Sequence, residues 1–369
     1  MKKRSVALVL SAAMIMTLFA GCGKKQEAES ETQPVQTETQ AQIETESETE
    51  SEIETEAETE EVLEEGMMRS YLTGEIIPVE EGADRPVALM IDNVPEALPQ
   101  CGIGQASILY EAVVESDLTR LMAVFDKTSD IEKVGPLRSC RHNYLDFAYD
   151  ESAVYGHFGW SYAAEERITN EGLHTLKFMQ GGINSVYYRD NNRTAPHNVF
   201  TTGDMLEKAF TVFGADTKLP ENFEGRLSFN TTGDVVHEDG QTAKTVDIAL
   251  SSKSHLEYDE ANQVYTKFEY GNEHIDDVTG EALTFKNIIV EKAVYTQYNG
   301  DILKDIAVVG SGEGMYISDG KAINITWKKD SATDRTKYYL ADGTELKLNV
   351  GKTYIAVVPT DTAITLSEN

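Results

Sequence analysis

The stretch Pro86-Val87-Ala88-Leu89-Met90-Ile91-Asp92 decides how the chain is read. An unbroken apolar run without alternation, closed by an acid, describes a strand buried on both faces that ends at a polar rim. Residues 108–114 and 120–125 repeat the pattern. Helical periodicity appears between and after these runs, over 139–149, 162–171 and 203–213, with Thr201 or Thr202 as the cap of the last. Strands alternating with helices predict an α/β-type domain over 67–225. After Gly225 strand-like segments follow one another, over 245–250, 264–270, 287–298, 306–309, 314–318, 322–328, 337–340 and 353–358. Ser318-Asp319-Gly320-Lys321 and Ala341-Asp342-Gly343-Thr344 read as hairpin turns, and Gly310-Ser311-Gly312-Glu313-Gly314 as a tight loop. Residues 226–369 therefore read as a mostly antiparallel β domain, and the fold class as α+β. No repeat with a solenoid period is present.

Composition sets the outer limits. The chain has 369 residues, 40% apolar and 26% charged, a globular mixture sufficient for two domains and a tail. Its 32 Lys+Arg stand against 63 Asp+Glu, a net charge of −31, which excludes a general nucleic-acid binder and charge-driven attachment to an anionic membrane. Lys2, Lys3 and Arg4 precede a short apolar run over 6–20, the form of an export signal over 1–21. Leu18-Phe19-Ala20-Gly21-Cys22 resembles a bacterial lipobox, with Phe19 where Leu, Val or Ile is usual. It predicts cleavage before Cys22, acylation of Cys22 and anchoring at the extracytoplasmic face of the cell membrane. The alternative is an ordinary secretory signal beside an accidental thiol. Residues 22–66 form the next unit, with 16 Glu and two Lys after Cys22. Such a segment cannot bury enough surface to offset its entropy, so a disordered acidic tether is expected. The rest, 67–369, holds 47 acidic and 27 basic residues, so the folded part is acidic in its own right.

No G-x-S-x-G, P-loop or H-E-x-x-H signature occurs, and no cofactor or metal is called for. Unusual polar residues instead gather in 92–198. They are Asp92, Asn93, Glu111, Glu115, Arg120, Arg138, Ser139, Arg141, His157, Arg189, Arg193, His197 and Asn198. Several fall at the ends of predicted strands, where α/β sheets place their sites. Arg138, Ser139 and Arg141 straddle the expected start of a helix, a combination of free N–H groups and guanidinium charge suited to an anion. Taken singly, each has a structural reading: Arg120 and Glu115 pair at a sheet edge, Asp92 caps a turn, His157 is a satisfied core histidine. Taken together, they suggest one Arg/His-rich cleft.

Arg-Pro-Val-Ala-Leu-Met-Ile-Asp-Asn (85–93), Leu-Pro-Gln-Cys-Gly (98–102), Ile-Leu-Tyr-Glu (108–111), Gly-Pro-Leu-Arg-Ser (135–139) and Ala-Pro-His-Asn (195–198) resemble the YerB-type family of bacterial lipoproteins. Trp327-Lys328-Lys329 and Asp342-Gly343-Thr344 resemble its second domain, and the match extends over nearly all of 85–360. Cys101 and Cys140 stand where that family favours a small residue such as Ser or Ala. The resemblance implies a surface lipoprotein with an α/β first domain and a β-rich second one, and brings no activity.

Three functions compete. The first is a binding or scaffolding module for an anionic envelope ligand or protein partner, with the membrane reached through lipid on Cys22 and no nucleic acid involved. The second is an envelope hydrolase using His157 or His197 as base with Asp92 or Glu111. The third is a regulator of another envelope enzyme, acting through the β domain. Cys101 and Cys140, the two cysteines beyond Cys22, are either a disulfide or two buried thiols.

Overall fold

The structure, a computed structural model, describes residues 63–368. The expected signal peptide, Cys22 and the expected tether as far as residue 62 lie outside the described residues. The apolar run forms strand β1 (Val87–Asp92), buried along its whole length. Strands β2 (Ile108–Glu115) and β3 (Leu118–Phe125) form a hairpin, and β3 also lies antiparallel to β1. Helix α1 (His142–Asp150) begins three residues later than periodicity suggests. Arg138 to Cys140 are extended instead: Arg138 donates its N–H to Met90 O and accepts one from Phe158, and Cys140 bridges Trp160. Strand β4 (Val154–His157), helix α2 (Tyr162–Asn170), strand β5 (Leu176–Lys177) and helix α3 (Gly203–Phe213) follow. Ser161 caps α2 and Thr202 caps α3 by accepting from Ala164 N and Met205 N.

The later half is β-rich, as its pattern predicts. Its main strands are β6 (Thr245–Ile248), β7 (Ser254–Asp259), β8 (Val264–Glu269), β9 (Asn287–Ala293), β10 (Gly310–Ser318), β11 (Lys321–Lys329), β12 (Thr353–Pro359) and β13 (Ile364–Ser367). The five α-helices among the described residues all fall within 79–213. The glycine-rich segment expected as a tight loop is the first part of β10. Gly312 lies opposite Trp327, and a Cβ there would sit 2.5 Å from the indole Nε1. The glycines make room for the indole rather than for a turn.

One eleven-stranded sheet runs β11-β10-β9-β12-β2-β3-β1-β4-β5, with Gln241–Thr242 and Lys337–Tyr339 both paired to β11. It takes strands from both sides of residue 225, and β12 lies parallel to both β9 and β2. A six-stranded antiparallel sheet is built on β8-β7-β6-β13. Leu109, Ile288 and Val290 of the large sheet share a core with Val246, Leu256 and Tyr265 of the small one. On the opposite face Met90, Tyr110 and Met122 pack with Tyr144 and Phe147 of α1. Because β1, β4 and β5 are mutually parallel, their carboxyl ends share one rim of the sheet. Such rims are where α/β folds hold ligands.

Candidate functional site

Asp92 closes β1 at that rim, with no exposed surface. The β1–β3 register sets it opposite Arg120, whose Nη1 donates to Oδ1 at 2.7 Å. The extended segment before α1 crosses the end of β1, with Asp92 N donating to Pro136 O. That crossing brings Arg138 Nε to 3.1 Å from Oδ2, close enough for an ion pair but not aligned as a hydrogen bond. The loop after Arg189 returns through Asp190 N to Asn198 O and delivers His197, whose Nδ1 lies 2.7 Å from Oδ2. Facing a carboxylate, that nitrogen carries the proton, which leaves Nε2 as the outward atom.

One buried carboxylate thus gathers two guanidinium groups and an imidazole. Burial pulls the Arg120 guanidinium below its ordinary value, Asp92 opposes the shift, and Arg138 and Arg141 add to it. Arg120 Nε is buried without a hydrogen-bond partner among the described residues. Arg138 is about a quarter exposed, and its Nη groups have no partner among the described residues. Arg189 donates to Asn198 Oδ1 at 2.7 Å, rests 5.3 Å over the Phe158 ring and is otherwise exposed. Asp92, Arg120, Arg138, His197, Asn198 and Arg189 are therefore linked into one patch.

Other residues read from the sequence go elsewhere. Arg141 pairs with Glu115 and donates to the carbonyls of Ser139 and Cys140. Arg193 braces the loop by donating to Ala97 O, Pro99 O and Asp277 Oδ2. Ser139 Oγ donates to Phe158 O. His157 is fully buried, with Nδ1 2.7 Å from Gly159 O and Nε2 2.9 Å from Thr175 Oγ1. Burial lowers its pKa to about 4. Both ring nitrogens are engaged, so His157 has no free atom to act as base. Cys101 and Cys140 are free thiols, both buried. Burial raises them to about 11 and about 12, so neither is a ready nucleophile.

Asn93 and Glu111 belong to a second, sealed network between the two sheets. Asn93 Nδ2 reaches Glu111, Thr119 and Glu269, while Glu111 accepts from Ser252 Oγ and Tyr354 OH. Lys267 Nζ lies 2.6 Å from Glu269 Oε2 and 3.5 Å from Glu111 Oε2, and His274 Nδ1 is 2.8 Å from Glu269. Lys267, Glu269 and His274 have no exposed surface. Burial alone would raise the Glu269 carboxyl; Lys267 and His274 outweigh it and hold it at about 2. Gln100 links the two networks, donating to Asp92 O and Asn93 Oδ1 and meeting His274 Nε2 with its Oε1. Sequence reading did not single out Gln100, Lys267, Glu269 or His274. Only the contrast of charged residues alternating within a strand, Lys267 and Glu269 in β8, could have flagged any of them.

The protein-family models of the DUF3048 N-terminal and C-terminal domains, both of unknown function, match residues 72–216 and 245–355, together well over half of the chain. A Bacillus subtilis (strain 168) protein named "Putative lipoprotein YerB" is 28% identical over 287 residues, covering 77% of this chain and 84% of that protein. The crystal structure of the YerB protein from Bacillus subtilis superposes with a TM-score of 0.71 at 26% identity, covering 81% of this chain and 99% of that one. No helix among the described residues is long and apolar enough to cross a membrane. The paired domain matches, the relative and the shared fold agree with the resemblance of the motifs at 85–93, 135–139 and 195–198, and the chain belongs to the YerB-type family of lipoproteins of unknown function.

Proposed function

We propose that this is a membrane-anchored, extracytoplasmic lipoprotein that binds an anionic group of an envelope ligand or partner at the Asp92 patch, with Cys22 carrying the lipid. The observation that carries the reading is charge. In a chain of net charge −31, Arg120, Arg138 and His197 converge on a single buried carboxylate, Asp92, and Arg189 is tied to the neighbouring Asn198. Like charges held together need compensation, and one acid against two Arg leaves room for an anion. The open donors of Arg138 and Arg189 suit a carboxylate or phosphate, which a guanidinium grips with parallel bonds. Calorimetric titration of the purified full chain with inorganic phosphate and acetate tests this. Arg138→Gln should weaken binding by about 1.5–3 kcal/mol, the range for hydrogen bonds to charged groups. Equal affinity in wild type and variant would refute the assignment.

A second reading rests on the Asp92–His197 pair. A carboxylate that orients a histidine whose other nitrogen faces outward is the arrangement of a general base. It supports a hydrolase acting on an anionic substrate. Burst or steady-state hydrolysis of anionic ester substrates that His197→Asn abolishes without loss of anion affinity would favour it over simple binding.

A further inference from the structure

The glycine-rich run that opens β10 leaves a gap inside the large sheet. Strand β10 pairs with β11 along its whole length, but with β9 only from Gly314 onward. The direction of its backbone groups follows from the turn at its far end. Asp319 and Gly320, at φ 50° and 75°, form a two-residue turn that makes Ser318 and Lys321 a hydrogen-bonded pair. Counting back in twos, Gly314, Gly312 and Gly310 bond to β11, while Met315, Glu313 and Ser311 turn their N–H and C=O groups toward β9. Met315 meets Val290 there. Beyond it the Lys292 carbonyl, which the next rung would use, accepts the Trp327 indole N–H at 2.9 Å instead. Gly312 makes room for that indole, so the glycine motif and the open rung have one cause. The N–H groups of Glu313 and Ser311 have no carbonyl partner among the described residues. Beside them lies a gap of about 350 Å³ lined by Lys292, Val294, Ala307, Val309, Trp327 and Thr360. Val294 and Val309 are 56% and 47% exposed.

We propose that this gap is a docking site for an extended segment of another polypeptide, which joins the sheet as a short strand along Ser311 and Glu313. A peptide backbone offers carbonyl and N–H groups at the spacing of the open edge. Val294 and Val309 give its alternate side chains an apolar seat. Open edges are usually blunted by Pro, Lys or a bulge, and Gly310–Glu313 has none of these. Charge selects the kind of partner. Glu313 is exposed and forms no ion pair among the described residues, and the chain carries −31. A second copy would bring another Glu313 and another −31 to the same edge, so the segment belongs to a basic partner with alternating apolar residues. The site is separate from the Asp92 patch and does not depend on the anion-binding reading.

The test combines amide hydrogen exchange and fluorescence anisotropy on the purified full chain. The probes are fluorescein-labelled hexapeptides of the form Lys-X-Thr-X-Thr-Lys, with Val, Leu, Ile or Phe at X. In the free chain the amides of Ser311 and Glu313 should exchange at least about tenfold faster than those of Gly312 and Gly314, and a bound peptide should slow them selectively. N-methylation of the four central residues, which removes the peptide's donors, should weaken binding by about tenfold. Glu in place of the two Lys should weaken it as well. Ser311→Pro removes an N–H that no ladder bond uses and should abolish binding. Val309→Lys changes an exposed side chain and should weaken binding by about tenfold, which keeps the test open if the proline variant does not fold. Protected Ser311 and Glu313 amides in the free chain overturn the inference, as does equal binding of plain and N-methylated peptides. No binding by any of the four peptides at millimolar concentration, or binding unchanged by Val309→Lys, overturns it too. A dimer in sedimentation that Val309→Lys dissolves assigns the edge to a second copy and refutes the basic partner.

Discussion

Replacing Lys267 with Met should expose what the sealed network between the sheets is worth. Lys267 lies between two carboxylates that have no exposed surface, Glu111 and Glu269, and 5.1 Å over the Tyr354 ring. Methionine fills much the same volume but leaves both carboxylates facing each other without their shared cation. Breaking a buried pair in this way costs about 3–5 kcal/mol. The titration of Glu269 points the same way. Burial would raise its carboxyl, yet Lys267 and His274 outweigh burial and hold it at about 2, below the ordinary 4.5. The sign follows from the direction. A depressed carboxyl stabilises the fold above its unfolded value of 4.5, and the contribution is lost as pH falls from there toward about 2. In the variant burial is less opposed, so the carboxyl moves up and protonation relieves the fold. Urea unfolding of wild type and Lys267→Met should therefore differ by about 3–5 kcal/mol at pH 7, and by clearly less at pH 4. Adding Glu269→Gln to the variant should recover part of the loss at pH 7. A difference below about 1 kcal/mol at pH 7, or one that does not change with pH, would refute the reasoning.

Two further outcomes follow from single residues. His157 is held neutral, at about 4 against an ordinary 6.5, so folding opposes its protonation. The stability present above pH 6.5 should fall by about 3 kcal/mol between there and pH 4, and His157→Gln should flatten that part of the pH profile of the melting temperature. Gly312→Ala sets a methyl against the indole of Trp327 and against Lys292 O, so it should cost about 1–3 kcal/mol by urea unfolding and shift the Trp327 emission. Unchanged stability would mean that β10 and β11 part more easily than their pairing suggests.

Strand β1 was legible because five apolar residues in a row leave a buried strand little alternative. Helix α3 was legible because Thr202 and the periodicity after it agree. The residues around Asp92 could be gathered as a set, but their partners could not. Nothing local separates Arg193, which braces backbone carbonyls, from Arg189, which faces outward. The inner network was hidden for a different reason. In β8 the alternation offers two faces, and the uncharged set Val264, Thr266 and Phe268 competes with Tyr265, Lys267 and Glu269. Hydrophobicity alone favours the first set, yet the second is the one turned inward, because Glu111 arrives from a distant strand and His274 from the turn that follows to satisfy its charges. A partner 156 residues away leaves no trace in the strand itself.

The position of β12 has a consequence for when the molecule can fold. Residues 353–359 lie between β9 and β2, so the middle of the large sheet is filled by nearly the last strand of the chain. Until it arrives, β2 is an open edge made of side chains that end up wholly buried, and the strands before it have no partner on that side. A ribosome releasing this chain from its N-terminus therefore holds a molecule that cannot close early. A chain cut short before residue 353 loses the join itself rather than a peripheral piece, and its first half inherits an adhesive edge in place of a core. Such long-range closure is slow.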